Sequence, residues 1–202
     1  MFISFEGLDG CGKSTQLEML FDYLRNLGKK VIKVREPGGT EIGEKIRSIL
    51  LNKELDINER AELLLFLASR AQLVEEVIKP ALRNGYFVLA DRFADSSIAY
   101  QGGARNLGVE TVEFLNRFAT NNIFPNIVFF IDISVEVALK RINKKKKDRM
   151  EIEGRSFLEK VRDTYLKISN TKSNFVIING ERSVDEIFYD VRKVIDNYII
   201  SK

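Results

Sequence analysis

Short apolar runs alternate with segments of helical period along the chain, and this alternation predicts the strands and the helices between them. The apolar runs predict five strands, at residues 2–5, 30–34, 86–90, 126–132 and 175–179. The helical segments predict helices at residues 13–28, 41–51, 58–85, about 95–102, 109–121, 135–142 and 183–199. Strands that alternate with helices are typical of an α/β protein whose parallel sheet carries helices on both faces.

The longest predicted helix, at residues 58–85, has recognisable boundary signals. Asn58 is a suitable N-cap, Gly85 is expected to end the helix, and Pro80 is expected to bend it because it lacks an amide hydrogen. The apolar residues of this helix can face either the core or a second copy of the chain, and periodicity does not separate the two.

Four polar segments directly follow predicted strands: residues 7–14, residues 35–40, residues 91–92 and Asp132. In parallel α/β sheets, ligands bind beyond the carboxyl ends of the strands. The sequence therefore predicts that these segments surround one cleft.

The composition restricts the chemistry that this cleft can perform. The chain has 202 residues, which suits a single domain over residues 1–202, and its net charge of +3 is too balanced to indicate nucleic-acid binding. It has no histidine, which excludes Ser-His-Asp catalysis and histidine zinc sites. Apolar stretches such as 63–68 are too short to span a membrane, and no signal peptide is visible. Because Cys11 is the only cysteine, no internal disulfide can form, and a cytoplasmic location is expected.

The segment Gly7–Ser14 matches the pattern G-x-x-x-x-G-K-[ST], follows a predicted strand and opens a predicted helix. In such a loop, backbone N–H groups surround phosphates, the lysine reaches the β- and γ-phosphates, and the hydroxyl binds Mg²⁺. The predicted ATP-binding residues of this loop are Gly7, Leu8, Asp9, Gly10, Cys11, Gly12, Lys13, Ser14 and Thr15. We interpret Cys11 as a small residue that fits the loop, with a redox role left open. No NKxD element of a GTPase is present and the chain is short for a motor, so a small-molecule kinase is favoured.

The segment at residues 91–108 supplies polar groups for an acceptor. Asp91 can organise Mg²⁺ through water, and the Arg92 guanidinium can bind a phosphate with two hydrogen bonds. Gln101 has a donor and an acceptor suited to a base edge. On its own, the Asp91-Arg92 pair could instead be structural, and the residues around Tyr100 could form a solvated helix surface.

Five segments together resemble the thymidylate kinases: FEGLDGCGKSTQ, REPGGT, LFLASR, DRFADSSIAYQG and DRMEIEGRSF. The resemblance implies the P-loop architecture of nucleoside monophosphate kinases and the transfer of the ATP γ-phosphoryl group to dTMP, with Mg²⁺. The product, dTDP, serves dTTP biosynthesis. The resemblance also implies a homodimer and the bacterial type of enzyme, in which the catalytic arginine lies in a mobile lid.

Carried over residue by residue, the resemblance assigns most of the acceptor site. Phe66 stacks on thymine, although the apolar run 63–67 alone favours a core position for it. Arg70, Ser97 and Gln101 contact the base, Tyr100 crowds the sugar 2′ position, and Arg92 binds the phosphate. The full implied dTMP site is Asp9, Arg35, Glu36, Pro37, Arg47, Phe66, Arg70, Arg92, Ser96, Ser97, Tyr100 and Gln101. For Arg47, a solvated helix face is an equally good interpretation.

The lid is predicted at about residues 142–156. Some members of the family carry the catalytic arginine at the loop position that is Gly10 here, so this chain needs another cation. The resemblance gives that role to Arg149, and it places Arg141 on the adenine; the run Lys144–Lys147 is interpreted as solvated. The predicted catalytic residues are Lys13, Asp9, Arg92 and Arg149, and the predicted metal ligands are Ser14 and Asp91. Two alternatives stay open: a kinase for another nucleoside or nucleotide, and a non-catalytic nucleotide- or nucleic-acid-binding regulator.

Overall fold

The computed structural model describes residues 1–142 and 154–200, and within them five parallel strands form one sheet in the order β2-β3-β1-β4-β5. The strands are β1 (Phe2–Glu6), β2 (Val31–Arg35), β3 (Phe87–Asp91), β4 (Ile127–Asp132) and β5 (Phe175–Asn179). Each lies within one residue of its predicted bounds. The predicted α/β class with a five-stranded parallel sheet is confirmed.

Helices surround this sheet and cover both of its faces. Alternate residues of β3 pack into different apolar clusters, since Leu89 belongs to one cluster while Val88 and Ala90 belong to the other. The described α-helices are α1 (Lys13–Asn26), α2 (Glu41–Leu51), α3 (Glu59–Leu73), α4 (Lys79–Arg83), α5 (Ala94–Ser97), α6 (Val109–Thr120), α7 (Val135–Ile142), α8 (Arg155–Ser169) and α9 (Val184–Ile200).

The long helix predicted at residues 58–85 is a single helical run with an irregular centre. The Asn58 side chain accepts a hydrogen bond from the Arg60 amide, as expected of an N-cap. A π-helical turn, Val74–Ile78, lies between α3 and α4 and ends two residues before Pro80. Proline cannot donate to the preceding turn, so a wider turn at this point takes the place of the predicted simple bend.

The segment predicted as a helix at about 95–102 has a similar irregularity. Only Ala94–Ser97 is α-helical, and Ile98–Ala104 forms a longer π-helical segment. This segment packs against α8 and α6. Two of its residues, Tyr100 and Gln101, line the acceptor cleft.

The predicted lid overlaps two described helices at its ends. Ile142 is the last residue of α7, and Arg155 is the first residue of α8. The rest of the predicted lid, with Arg149 and Lys144–Lys147, lies outside the described residues.

The carboxyl ends of β1, β2 and β3 meet at one edge of the sheet. The register pairs Phe5 with Asp91 and Arg35 with Asp91, so three of the four predicted polar segments start side by side. Asp132, the fourth predicted segment, lines neither of the two clefts at this edge. Both of its carboxylate oxygens accept hydrogen bonds from Arg162, at 2.7 and 2.8 Å. Among the described residues, no helix is long and apolar enough to cross a membrane.

Candidate active site

The loop between β1 and α1 has the backbone geometry that its glycines allow. Gly10 has φ of +79° and Gly12 has φ of +100°, which are conformations that side chains rarely adopt. A Cβ added to Gly10 would also lie 3.0 Å from the Cβ of Arg141. A side chain at this loop position would therefore be strained and would crowd Arg141.

Lys13 is buried, and its ammonium group lies inside the loop. Its Nζ donates to the carbonyls of Gly7 at 3.2 Å and Leu8 at 2.9 Å, and it lies 3.8 Å from Asp9 Oδ1. The loop thus holds this positive charge at the wall of a cleft, and positive charge there favours the binding of an anion.

Ser14 and Asp91 lie together although 77 positions separate them in the chain. The Ser14 hydroxyl donates to Asp91 Oδ2 at 2.5 Å. A hydroxyl beside a carboxylate supplies the hard oxygen donors that Mg²⁺ prefers, and Mg²⁺ usually completes its shell with water and substrate phosphates. The described residues contain no group of three or more acidic, cysteine or histidine ligands, so this pair is the donor set that fits the predicted ion.

Two clefts adjoin at this edge of the sheet. The acceptor cleft lies between α2, α3 and the segment that follows β3. It is lined by every predicted dTMP-site residue except Arg35, together with Leu51, which the sequence did not indicate. The phosphate cleft is lined by Asp9, Gly10, Gly12, Lys13, Ser14, Thr15, Arg35, Glu36, Arg47, Asp91, Arg92, Arg141 and Ile142.

Asp9 and Arg92 belong to both clefts and form an ion pair between them. Arg92 Nη2 donates to Asp9 Oδ1 at 2.5 Å, and it also reaches the Tyr100 hydroxyl at 3.3 Å. Burial alone would raise the pKa of Asp9, but Arg92 and Lys13 lower it below its ordinary value. Burial alone would lower the pKa of Arg92, but Asp9 raises it well above its ordinary value. Both groups are therefore charged where the clefts meet.

Glu6 lies beneath Arg92, and the sequence analysis missed it. This fully buried carboxylate accepts hydrogen bonds from the Phe93 amide at 2.7 Å, the Ser96 hydroxyl at 2.6 Å and the Tyr165 hydroxyl at 2.8 Å. Burial, together with nearby Asp95, raises the pKa of Glu6 from 4.5 to about 7, although the hydrogen bond from Ser96 opposes this. The sequence feature that could have indicated Glu6 is its position as an acidic residue at the end of an otherwise apolar strand.

Arg70 is buried and has a partner for each of its five N–H groups. Its Nε and Nη2 donate to Glu36, Nη1 donates to Ser97 and Asn116, and Nη2 also reaches the Phe93 carbonyl. A hydrogen bond from Arg70 to a base would require one of these partners to be exchanged. The base-binding role of Arg70 stays a prediction, and its role in holding Glu36 is an additional finding.

Phe66 and Gln101 line the acceptor cleft from different elements. Phe66, on α3, is half-buried at the wall of the cleft, which differs from the core position that the apolar run alone favoured. Gln101 is almost fully buried in the π-helical segment, and its amide nitrogen donates to Glu62 at 2.7 Å. Neither Glu62 nor its contact with Gln101 was predicted from the sequence.

Three further predicted arginines lie around the phosphate cleft. Arg141 Nη1 donates to the Gly10 carbonyl at 3.0 Å, and Arg47 Nη1 donates to the Pro37 carbonyl at 2.7 Å. Arg35 pairs with Glu44 at 3.1 Å, is more than half exposed, and does not line the acceptor cleft.

Three predicted nucleotide-binding residues do not line either cleft with their side chains. Leu8 and Cys11 are almost fully buried in the apolar core, and a Cβ on Gly7 would lie 2.5 Å from the Ile131 carbonyl. The side chains of these residues therefore do not face a bound phosphate, and the Cys11 amide donates to the Leu8 carbonyl at 3.3 Å.

The chain matches proteins of one family over nearly its full length. The family model for thymidylate kinase matches residues 5–191. The chain is similar to the thymidylate kinase of Thermosipho africanus, with 63% identity over 201 residues that cover 100% of each chain. It is 65% identical to the thymidylate kinase of Thermosipho melanesiensis, over 98% of this chain and 99% of the relative. The thymidylate kinase of Fervidobacterium nodosum is 57% identical to it, over 98% of this chain and 100% of the relative.

Proposed function

Because the chain belongs to the thymidylate kinase family, we propose that it transfers the γ-phosphoryl group of ATP to dTMP, giving dTDP and ADP. One observation carries this proposal: the cleft around the glycine-rich loop and the acceptor cleft adjoin at the Asp9–Arg92 pair, which lines both. A donor phosphate in one cleft and an acceptor phosphate in the other would meet beside Arg92. The reaction is a step in dTTP biosynthesis.

On the donor side, the loop amides and Lys13 bind the β- and γ-phosphates of ATP. Ser14 would hold Mg²⁺ with its hydroxyl and Asp91 would hold it through water, and the ion would supply positive charge to offset that of the phosphates. Arg141 lies against the Gly10 carbonyl beside the phosphate cleft, where its guanidinium can pack on the adenine.

On the acceptor side, Arg92 binds the dTMP phosphate. Its guanidinium is already oriented by Asp9, Ser96 and Tyr100, so little freedom is lost when the phosphate binds. Asp9 lies next to this phosphate and near the sugar 3′-hydroxyl. The acceptor oxygen is already ionised, so the reaction needs alignment and charge stabilisation more than a protein base.

The base is held by residues from α3 and from the segment after β3. Phe66 stacks on thymine, and Arg70, Ser97 and Gln101 contact its edge. The Tyr100 hydroxyl hydrogen-bonds Arg92, which fixes the ring as a wall at the sugar 2′ position. Arg149 is proposed as the cation that stabilises the transferring phosphoryl group.

We propose that the active form is a homodimer in the cytoplasm. Helices α3 and α6 pack against each other, and each leaves large apolar side chains exposed. Leu64 is 59% exposed, Phe114 is 71% exposed and Phe118 is 85% exposed. A two-fold interface uses the same patch on both chains, and this patch supplies the aromatic residues that such interfaces favour. The free, buried Cys11 thiol suits a reducing compartment.

A coupled assay of ADP release tests the proposed reaction. ATP and Mg²⁺ are supplied with dTMP, dUMP, dCMP, dGMP, AMP or thymidine, and dTMP should give the highest kcat/KM. Preference for thymidine over dTMP would contradict the phosphate role of Arg92. Absence of turnover with every acceptor would contradict the enzyme assignment and favour a regulator.

A further inference from the structure

Glu62 is a buried carboxylate that the proposed reaction does not use. It lies on α3 with 0% exposure, and its Oε1 accepts a hydrogen bond from Gln101 Nε2 at 2.7 Å. Its Oε2 lies 3.4 Å from Arg105 Nη2. A carboxylate without exposure must have partners in the protein, and here one of those partners is a residue of the acceptor cleft.

Arg105, the second partner of Glu62, is itself held in place. Arg105 is a permanent cation, and its guanidinium lies 4.7 Å from the centre of the Phe157 ring. Phe157 in turn packs edge-on against Tyr100, with ring centres 6.1 Å apart. The cation beside Glu62 is therefore held in place by aromatic packing that extends to the acceptor cleft.

Glu62 Oε1 accepts the hydrogen of the Gln101 amide nitrogen. The Gln101 amide must then direct its nitrogen towards Glu62, since the reverse orientation would place its carbonyl oxygen against a carboxylate oxygen. Because the nitrogen donates to Glu62, the carbonyl oxygen of the Gln101 amide is the atom that can accept a hydrogen bond from a ligand in the acceptor cleft.

We propose that Glu62 is a positioning residue for base selection, because it fixes the Gln101 amide with its oxygen presented to the base. An acceptor at this position pairs with the N3–H donor of thymine or uracil. It repels cytosine, whose N3 is itself an acceptor. This inference rests on the base-reading role proposed for Gln101.

The position of Glu62 on α3 supports this role. Glu62, Phe66 and Arg70 are spaced four residues apart, so they share one face of the helix. Phe66 and Arg70 line the acceptor cleft, and Glu62 contacts Gln101, which lines it too. One helix face thus supplies the stacking ring, the buried arginine and the group that orients the amide.

The test compares kcat/KM for dTMP with kcat/KM for dCMP in the full-length Glu62→Gln variant. A glutamine at this position can donate to the Gln101 oxygen, which frees the Gln101 nitrogen to face the base. We expect the dTMP-to-dCMP ratio to fall by roughly tenfold or more, because one hydrogen bond changes from favourable to unfavourable. The ratio does not depend on the fraction of folded enzyme, so reduced stability alone leaves it unchanged.

Two further variants make the result specific. Glu59→Gln makes the same chemical change at an exposed position in the first turn of α3, and it should leave the ratio at the wild-type value. If Glu62→Gln yields no folded protein, Glu62→Asp withdraws the carboxylate from Gln101 while keeping its charge, and the same fall is expected.

Gln101→Leu separates failure of this inference from failure of the base-reading assignment. If Gln101→Leu lowers the ratio but the Glu62 variants do not, Glu62 has no positioning role and Gln101 still reads the base. An equal loss of kcat/KM for dTMP and dCMP in Glu62→Gln would likewise overturn the inference, since it would show a structural role only. If Gln101→Leu leaves the ratio unchanged, Gln101 does not read the base, and the inference fails with that assignment.

Discussion

Arg92 has a backbone conformation that few residues other than glycine and asparagine adopt, with φ of 69°. Such a conformation costs on the order of 1–3 kcal/mol, so the surrounding structure must hold it. The next residue, Phe93, donates its amide hydrogen to Glu6, and Ser96 bonds both Glu6 and Arg92. Glu6 thus anchors the turn that directs the Arg92 guanidinium into the active site.

The protonation of Glu6 should make stability depend on pH. Its pKa is about 7 in the folded protein against an ordinary value of 4.5, so the folded state binds the proton more tightly. The stabilisation is complete below about pH 4.5 and is lost as the pH rises through about 7. Relative to Glu6→Gln, the wild type should lose at most roughly 3 kcal/mol of unfolding free energy over this range.

Urea unfolding of the wild type and of Glu6→Gln at about pH 5, 6, 7 and 8 measures this effect. The exposed Glu54→Gln serves as the control, and it should follow the wild-type pH profile. Parallel profiles for the wild type and Glu6→Gln would show that Glu6 is ionised throughout, against the expected titration.

At the scale of elements, the π-helical segment Ile98–Ala104 and helix α8 approach each other very closely. A Cβ added to Gly103 would lie 2.0 Å from Thr164 Oγ1 and 2.8 Å from Thr164 Cβ. The same two elements carry Tyr100 and Gln101 on one side and Tyr165 on the other. The spacing between them therefore sets the position of the acceptor-site residues.

Gly103→Ala should push these elements apart. We expect a loss of about 1–3 kcal/mol in unfolding free energy, as is usual for overpacking, and a higher KM for dTMP with little change in KM for ATP. Gly154→Ala is the matched control, because no atom of the described residues lies within 4 Å of its added Cβ and its φ is negative. If Gly103→Ala has the stability and the KM for dTMP of the wild type, Thr164 can move away from the added methyl group without affecting the fold or the site, and the prediction is wrong.

The sequence was sufficient for the sheet but not for these contacts between elements. Buried parallel strands are short apolar runs, so their bounds could be predicted to within a residue. The π-helical turns depend on tertiary packing, and periodicity does not reveal them. The residues of the two clefts followed from strand ends and motifs, whereas Glu6, Glu62 and Tyr165 act through partners 39 or more positions away. No local pattern encodes such pairs.

At the scale of the whole molecule, the exposed apolar side chains of α3 and α6 lie on the helix pair that also supports the acceptor cleft. Phe66 and Arg70 project from α3 into the cleft wall, while Leu64 on the same helix is exposed. An interface on this face would therefore brace the helix that is proposed to hold the base.

Phe118→Asp should separate the proposed dimer, because it places a charge at the centre of the apolar patch. Light scattering coupled to size-exclusion chromatography should give twice the chain mass for the wild type and the chain mass for the variant. Tyr189→Asp, at a 64% exposed aromatic residue on α9, should remain dimeric. A monomeric wild type, or a dimeric Phe118→Asp, would contradict the proposed interface.

The junction of the two clefts has a consequence for inhibitor design. Any single molecule that fills both clefts must pass the guanidinium of Arg92 and the ammonium of Lys13, with the Asp9 carboxylate beside them. A linker of neutral atoms would leave these buried cations without a counter-charge from the ligand and would forfeit their attraction. A compound that joins a pyrimidine to a nucleotide tail should therefore carry its negative charge in the connecting chain, not only at its ends.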